Sequence, residues 1–85
     1  MPERQITQRQ LERLNEIKTL IHTWRTNEGL SQNEFADLAD THSNTIYNIE
    51  RNHSINSIHS INVLTLFNCI DAMDMSLSEF FAEIE

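Results

Sequence analysis

The chain has 85 residues, a formal net charge of −7 at pH 7, and one residue each of glycine, proline and cysteine. That length fits one small domain with a modest core, which often gains stability from a partner subunit. So little glycine and proline disfavours a turn-rich fold. The lone Cys69 rules out an internal disulfide, and no apolar run reaches the roughly 18 residues that a membrane-spanning helix needs. The opening MPERQITQRQ lacks the apolar stretch of a signal peptide, so a reducing cytoplasm is the expected compartment and no membrane contact is expected.

A first helix is predicted from Thr7 or Gln8 to Glu28. Thr7 and Gln10 have the spacing of a capping box, and Leu11, Leu14, Ile17, Leu20, Ile21 and Trp24 recur at helical intervals. Gly29 stands where a left-handed residue would close the helix. The helix is long for so small a domain, and Gln8 to Glu16 are expected to project beyond the core. Its apolar stripe reads as ordinary core, with a helix–helix dimer seam as the alternative. Ser31 and Glu34 make a second capping box, opening a short helix with Phe35, Leu38 and Ala39 turned inward. Asp40-Thr41-His42 is the corner. A third helix follows from about Ser43 to Arg51, burying Ile46 and Ile49 and presenting Ser43, Asn44, Tyr47, Asn48 and Arg51 outward.

Residues 54–62 read SIN-SIH-SIN, with isoleucine at every third position. That period suits an ordered connecting loop better than a long α-helix. A fourth helix is expected from near Asn62, or from Ser57, with Val63, Leu66, Phe67, Ile70 and Met73 as its apolar stripe. Asp74-Met75 breaks it, and a third capping box, Ser76 with Glu79, opens a last helix with Leu77, Phe80, Phe81 and Ile84. The expected fold class is therefore all-α: five helices in a single domain over residues 1–85, two of them short and meeting across a corner as in a helix-turn-helix.

These residues resemble the λ-repressor and Cro type of helix-turn-helix domain, the XRE family. The resemblance covers about residues 21–81, with helix two near 31–39 and the recognition helix near 43–51. It is carried by Arg25, by Gly29-Leu30-Ser31-Gln32, by Phe35-Ala36, and by Thr45-Ile46-Tyr47-Asn48-Ile49-Glu50. The ending Met73-Asp74-Met75-Ser76-Leu77-Ser78-Glu79-Phe80-Phe81 matches the family's closing motif. Glu50-Arg51-Asn52 also resembles the controller proteins of restriction-modification systems. Three departures stand out: Asp40 replaces the family's corner glycine, the loop after helix three is longer than usual, and basic residues are scarce on the expected DNA face. Asp tolerates the left-handed conformation that such a corner requires.

The resemblance implies double-stranded DNA as partner, with no cofactor, no metal and no enzymatic activity. His42, Ser43, Asn44, Tyr47 and Asn48 would read base edges, since a recognition helix lays its N-terminal outward residues in the major groove and Asn pairs well with adenine. Gln32, Arg51 and Asn52 would hold phosphates. Arg25 and Glu50 would form a structural ion pair, leaving Arg25 unavailable to DNA. Phe80, Phe81 and Ile84, which look more exposed than a small core needs, are the expected homodimer interface. His22, His42, His53 and His59 show no zinc-binding spacing, and Cys69 reads as a small buried hydrophobe.

The acidity is unevenly distributed. Residues 1–28 hold five Lys/Arg against four Glu, residues 41–70 hold only Glu50 and Arg51, and residues 71–85 hold five acids and no base. Local field, more than total charge, decides where a polyanion docks. With few cations per subunit, a symmetric dimer on a palindromic site becomes the expected mode. The alternative is a protein-interaction or antitoxin-like subunit that binds DNA only with a partner.

Overall fold

The computed structural model describes residues 6–51 and 61–84, and these form five α-helices with no strand among them. They are α1 (Gln8–Asn27), α2 (Gln32–Leu38), α3 (Ser43–Glu50), α4 (Val63–Ala72) and α5 (Leu77–Ala82). The SIN-SIH-SIN stretch lies almost entirely outside the described residues; its last residue, Asn62, caps α4 by accepting from the backbone N–H of Leu64 at 2.8 Å.

Three helices begin on complete capping boxes. Thr7 with Gln10, Ser31 with Glu34, and Ser76 with Glu79 each exchange two side-chain-to-backbone bonds. Each box satisfies two of the amide donors that a helix start leaves unpaired. The Glu34 and Glu79 carboxyls lie below the usual range because their boxes supply donors from Ser31 and Ser76.

Three helices also end alike. After α1 the chain passes through Gly29 at φ 71°, after α2 through Asp40 at φ 52°, and after α4 through Asp74 at φ 56°. Each end closes with the paired backbone bonds of a Schellman motif. Gly29 and Leu30 donate back to Thr26 and Arg25, Asp40 and Thr41 to Asp37 and Ala36, and Asp74 and Met75 to Asp71 and Ile70. The corner between α2 and α3 thus keeps the left-handed residue that its geometry demands, although that residue is aspartate.

These turns fold the apolar faces onto one core. Ile21, Phe35, Ala36, Ala39, Ile46, Ile49, Cys69, Ile70, Met73 and Phe80 are buried together, with Ile17, Leu20, Trp24, Leu30 and Leu66 packed at the margin. Trp24 leans on Phe35 with ring centroids 5.8 Å apart. Removing such a fully buried aromatic from water contributes about 2–3 kcal/mol. Leu11 is buried but stands apart from this cluster, consistent with a first helix that outruns the core. Leu38, expected to face inward, is 58% exposed. A seven-residue helix turns only a narrow strip to the core, and Phe35, Ala36 and Ala39 fill it.

A Cβ built on Gly29 meets no atom within 4 Å, so only its backbone angle resists substitution. Gly29→Ala should therefore lower stability by about 1 kcal/mol, with an unchanged denaturant slope in urea unfolding.

Candidate nucleic-acid interface

The resemblance implies a structural role for Glu50, and in the structure it is the meeting point of three helices. Its side chain is 4% exposed. From α1, Arg25 donates to both carboxylate oxygens, Nε to Oε2 at 2.7 Å and Nη2 to Oε1 at 2.8 Å. Arg25 Nη1 also donates to the Leu30 carbonyl at 2.6 Å, tying the α1–α2 turn into the same group. His22 Nδ1 lies 2.8 Å from Oε1, and from α2 the Gln32 amide donates to that oxygen at 3.4 Å. Burial pushes the Glu50 carboxyl up, but the bonds from Arg25, His22 and Gln32 outweigh it and leave the carboxyl below its usual value. The same pair raises the Arg25 guanidinium. His22 and the Gln32–Glu50 link were missed by sequence reasoning. His22 sits one helical turn before Arg25 on the same face of α1, and that spacing was the available signal.

Gln32 is the first residue of α2, and Ser43 opens α3. Because α2 and α3 pack against each other across the Asp40 corner, their N-terminal turns border one open cleft of about 610 Å³. It is lined by Arg25, Ser31, Gln32, Asn33, Ser43, Asn44 and Tyr47. Tyr47 is 55% exposed there. The lining is rich in neutral hydrogen-bonding groups and suits an anionic, donor- and acceptor-bearing surface better than a hydrophobic ligand.

The predicted site residues divide. Ser43, Asn44, Tyr47 and Gln32 come together in the cleft. His42 is the exposed N-cap residue of α3, with no side-chain cap bond, just outside it. Asn48 is half-buried on the flank of α3, and Arg51, the C-cap residue, is half-buried beyond Glu50. Asn52 lies outside the described residues. Arg25 borders the cleft while bound to Glu50, with its side chain only 11% exposed. Ser31 and Asn33 also line the cleft, and the sequence reading did not single them out as contacts.

One expected surface residue is not on the surface. Phe80 is fully buried, edge-on to Phe81 with centroids 5.2 Å apart. The short α5 packs on α4, so its apolar residues split: Phe80 turns into the core beside Ile70 and Met73, while Leu77 (47%) and Phe81 (44%) face out. Ile84 packs at the core margin. Cys69 is buried, and desolvation together with the nearby Glu50 charge pushes its thiol up to about 11, leaving it unreactive near neutral pH.

Two short helices held across a left-handed corner, the second presenting polar side chains from an apolar base, define a helix-turn-helix protein. A family model described as Helix-turn-helix matches residues 21–80, and the chain belongs to that family, in its XRE or λ-repressor-like form. It is a DNA-binding regulator by kind. No curated protein matches the chain. Among the described residues no helix is long and apolar enough to cross a membrane.

The Glu50 cluster makes a pH-linked prediction. Because the folded carboxyl is depressed, its stabilisation is complete above the unfolded glutamate value, about 4.3, and is lost as pH falls through the lower folded value. Glu50→Gln should cost about 2 kcal/mol at pH 7, the size of a hydrogen bond to a charged group, from a weakened Arg25 pair. It should also flatten the fall in stability below about pH 4.3, as read from urea midpoints across an acid series.

Proposed function

We propose that the chain is a sequence-specific transcriptional regulator that binds a palindromic operator as a homodimer. The observation that carries this reading is the shared cleft, in which Gln32 and Asn33 of α2 face Ser43, Asn44 and Tyr47 of α3. In such docking the α3 residues read base edges in the major groove while Gln32 and Arg51 hold phosphates on either side. Base-edge contacts from Asn44 and Asn48 favour adenine, whose N6 and N7 suit an amide in one plane. No acid is among the residues that line the cleft, so the surface offered to DNA is not itself anionic, although Glu34 and Asp37 lie elsewhere on α2.

Dimerisation suits a reader with so few cations, because it doubles the contacts and demands two half-sites about one helical turn apart. Leu77 and Phe81 on α5, with Leu64 (66%) and Phe67 (39%) on α4, are exposed apolar side chains on adjacent helices that a second copy would cover. With Phe80 assigned to the core, the proposed interface rests on Phe81, Leu77 and the edge of Ile84.

A second reading, a subunit that needs a protein partner before it binds DNA, is favoured by one other feature. An open groove of about 550 Å³ between α1 and α5 is lined by Glu12, Asn15, Glu16, Thr19, Leu20, Thr23 and Glu83. Glu16 Oε2 is buried there without a hydrogen-bond partner. A gel shift with the chain alone, on DNA from upstream of its own coding sequence and at stated salt, separates the two readings. The regulator retards a palindromic fragment unaided; the partner-dependent subunit does not.

Reading and holding should separate by mutation. Asn44→Ala or Asn48→Ala should cost about 1–3 kcal/mol on the preferred site and relax selectivity at particular base pairs in a randomised-site selection. Arg51→Ala should weaken all sequences equally, keep the selected site, and reduce the salt slope by about one unit per subunit. All three should keep wild-type helicity. For the dimer, Phe81→Asp should give a folded monomer in sedimentation with operator binding lost, because a single half-site carries too few contacts.

A further inference from the structure

Glu50 constrains the chemistry of His22. An ionised carboxylate only accepts hydrogen bonds, so His22 Nδ1, 2.8 Å from Oε1, must carry a proton and donate it. The guanidinium Nη2 of Arg25 also lies 3.4 Å from His22 Nδ1, but a nitrogen that carries a proton in the ring plane offers it no lone pair. That approach is a by-product of both groups binding the same oxygen. The neutral imidazole is therefore held as the Nδ1–H tautomer. Its Nε2 bears a lone pair, and the side chain is 51% exposed to solvent. In this form the ring repels a phosphate oxygen. When Nε2 gains a proton, the exposed edge becomes both a donor and a cation without disturbing the bond to Glu50.

The place matters as much as the chemistry. Gln32 donates to the same Glu50 oxygen and also lines the cleft with Asn44 and Tyr47. A phosphate seated on the Gln32 amide is thus a neighbour of the His22 ring. The charged groups in contact with the ring are Arg25 on its own helix and Glu50 from α3; Lys18 stands one turn earlier on α1, and Arg51 follows Glu50 in the sequence. The neighbour from α2, Gln32, is neutral. With Glu50 and Arg25 paired, protonation of His22 adds one positive charge to this edge.

We infer that His22 is a proton-gated DNA contact, anchored through Nδ1 on Glu50 and joining the phosphate-binding edge of the cleft only when its Nε2 is protonated. The inference rests on the DNA-binding reading above. It makes affinity for DNA depend on pH within the range where imidazoles titrate, through a residue on α1 rather than on the recognition helix.

Two measurements test it. Nitrogen-detected histidine NMR of the full chain without DNA, at pH 8, should show the Nδ1–H tautomer of His22; an Nε2–H tautomer overturns the inference. Operator affinity is then measured at pH 8 and pH 6 over a salt series for wild type, His22→Asn and His22→Lys, with helicity checked for each. Wild type should bind severalfold more tightly at pH 6, with a salt slope steeper by about one unit per subunit. His22→Asn can still donate toward Glu50 but cannot titrate, and it should lose that part of the response. His22→Lys should hold the steeper slope at both pH values. Equal pH responses in wild type and both variants overturn the inference while leaving DNA binding intact. If no protein binds DNA at either pH although the tautomer is as expected, the DNA-binding reading itself falls, and the gated contact falls with it.

Discussion

A single carboxylate ties the parts of this domain that must not move relative to one another. Glu50 lies at the end of α3, receives two bonds from Arg25 and one from His22 on α1, and takes a longer one from Gln32 on α2. Apolar packing alone would let these short helices slide, because hydrophobic burial has no direction. A bidentate guanidinium–carboxylate pair has a fixed plane and a fixed distance. It sets the angle between the long first helix and the two short ones, and so the shape of the cleft they border. Arg25 extends the tie to the Leu30 carbonyl, so the turn leading into α2 is set by the same group.

This arrangement also answers the problem posed by the charge. The chain is strongly acidic, yet five of its thirteen acids fall in residues 71–85 of the sequence. Around the cleft, Glu50 is neutralised by Arg25, and the exposed lining is amide, hydroxyl and phenol. On the proposed reading, such a surface gains little from counterion release, and its discrimination comes mostly from directed hydrogen bonds. The carboxylates elsewhere then favour one orientation of approach over others.

Much of the fold was legible because it is written in local chemistry. The three capping boxes depend on residues three apart, and Thr7, Ser31 and Ser76 each begin a helix where that spacing indicates. The left-handed conformation at Gly29 was equally readable and the resemblance put Asp40 at the left-handed corner, whereas at Asp74 the sequence showed only a helix break. Leu38 and Phe80 were not readable in the same way. Both occupy positions where a hydrophobic residue of a very short helix could face either way, and the decision belongs to whatever packs against it. Phe80 turned inward and Leu38 outward.

The candidate site shows the same division. Sequence by itself determined the helices, their caps, the corner, and which polar residues the recognition helix carries, because each follows from neighbours within one or two turns. The pairing of Arg25 with Glu50 came from resemblance, since a separation of 25 positions leaves no local trace of it. Only the tertiary structure decided that His22 and Gln32 share the Glu50 oxygen, that Arg25 still borders the cleft, and that Ser31 and Asn33 join Ser43, Asn44 and Tyr47 there. These are distances between separate helices, and they are set by how α1, α2 and α3 close around one buried charge.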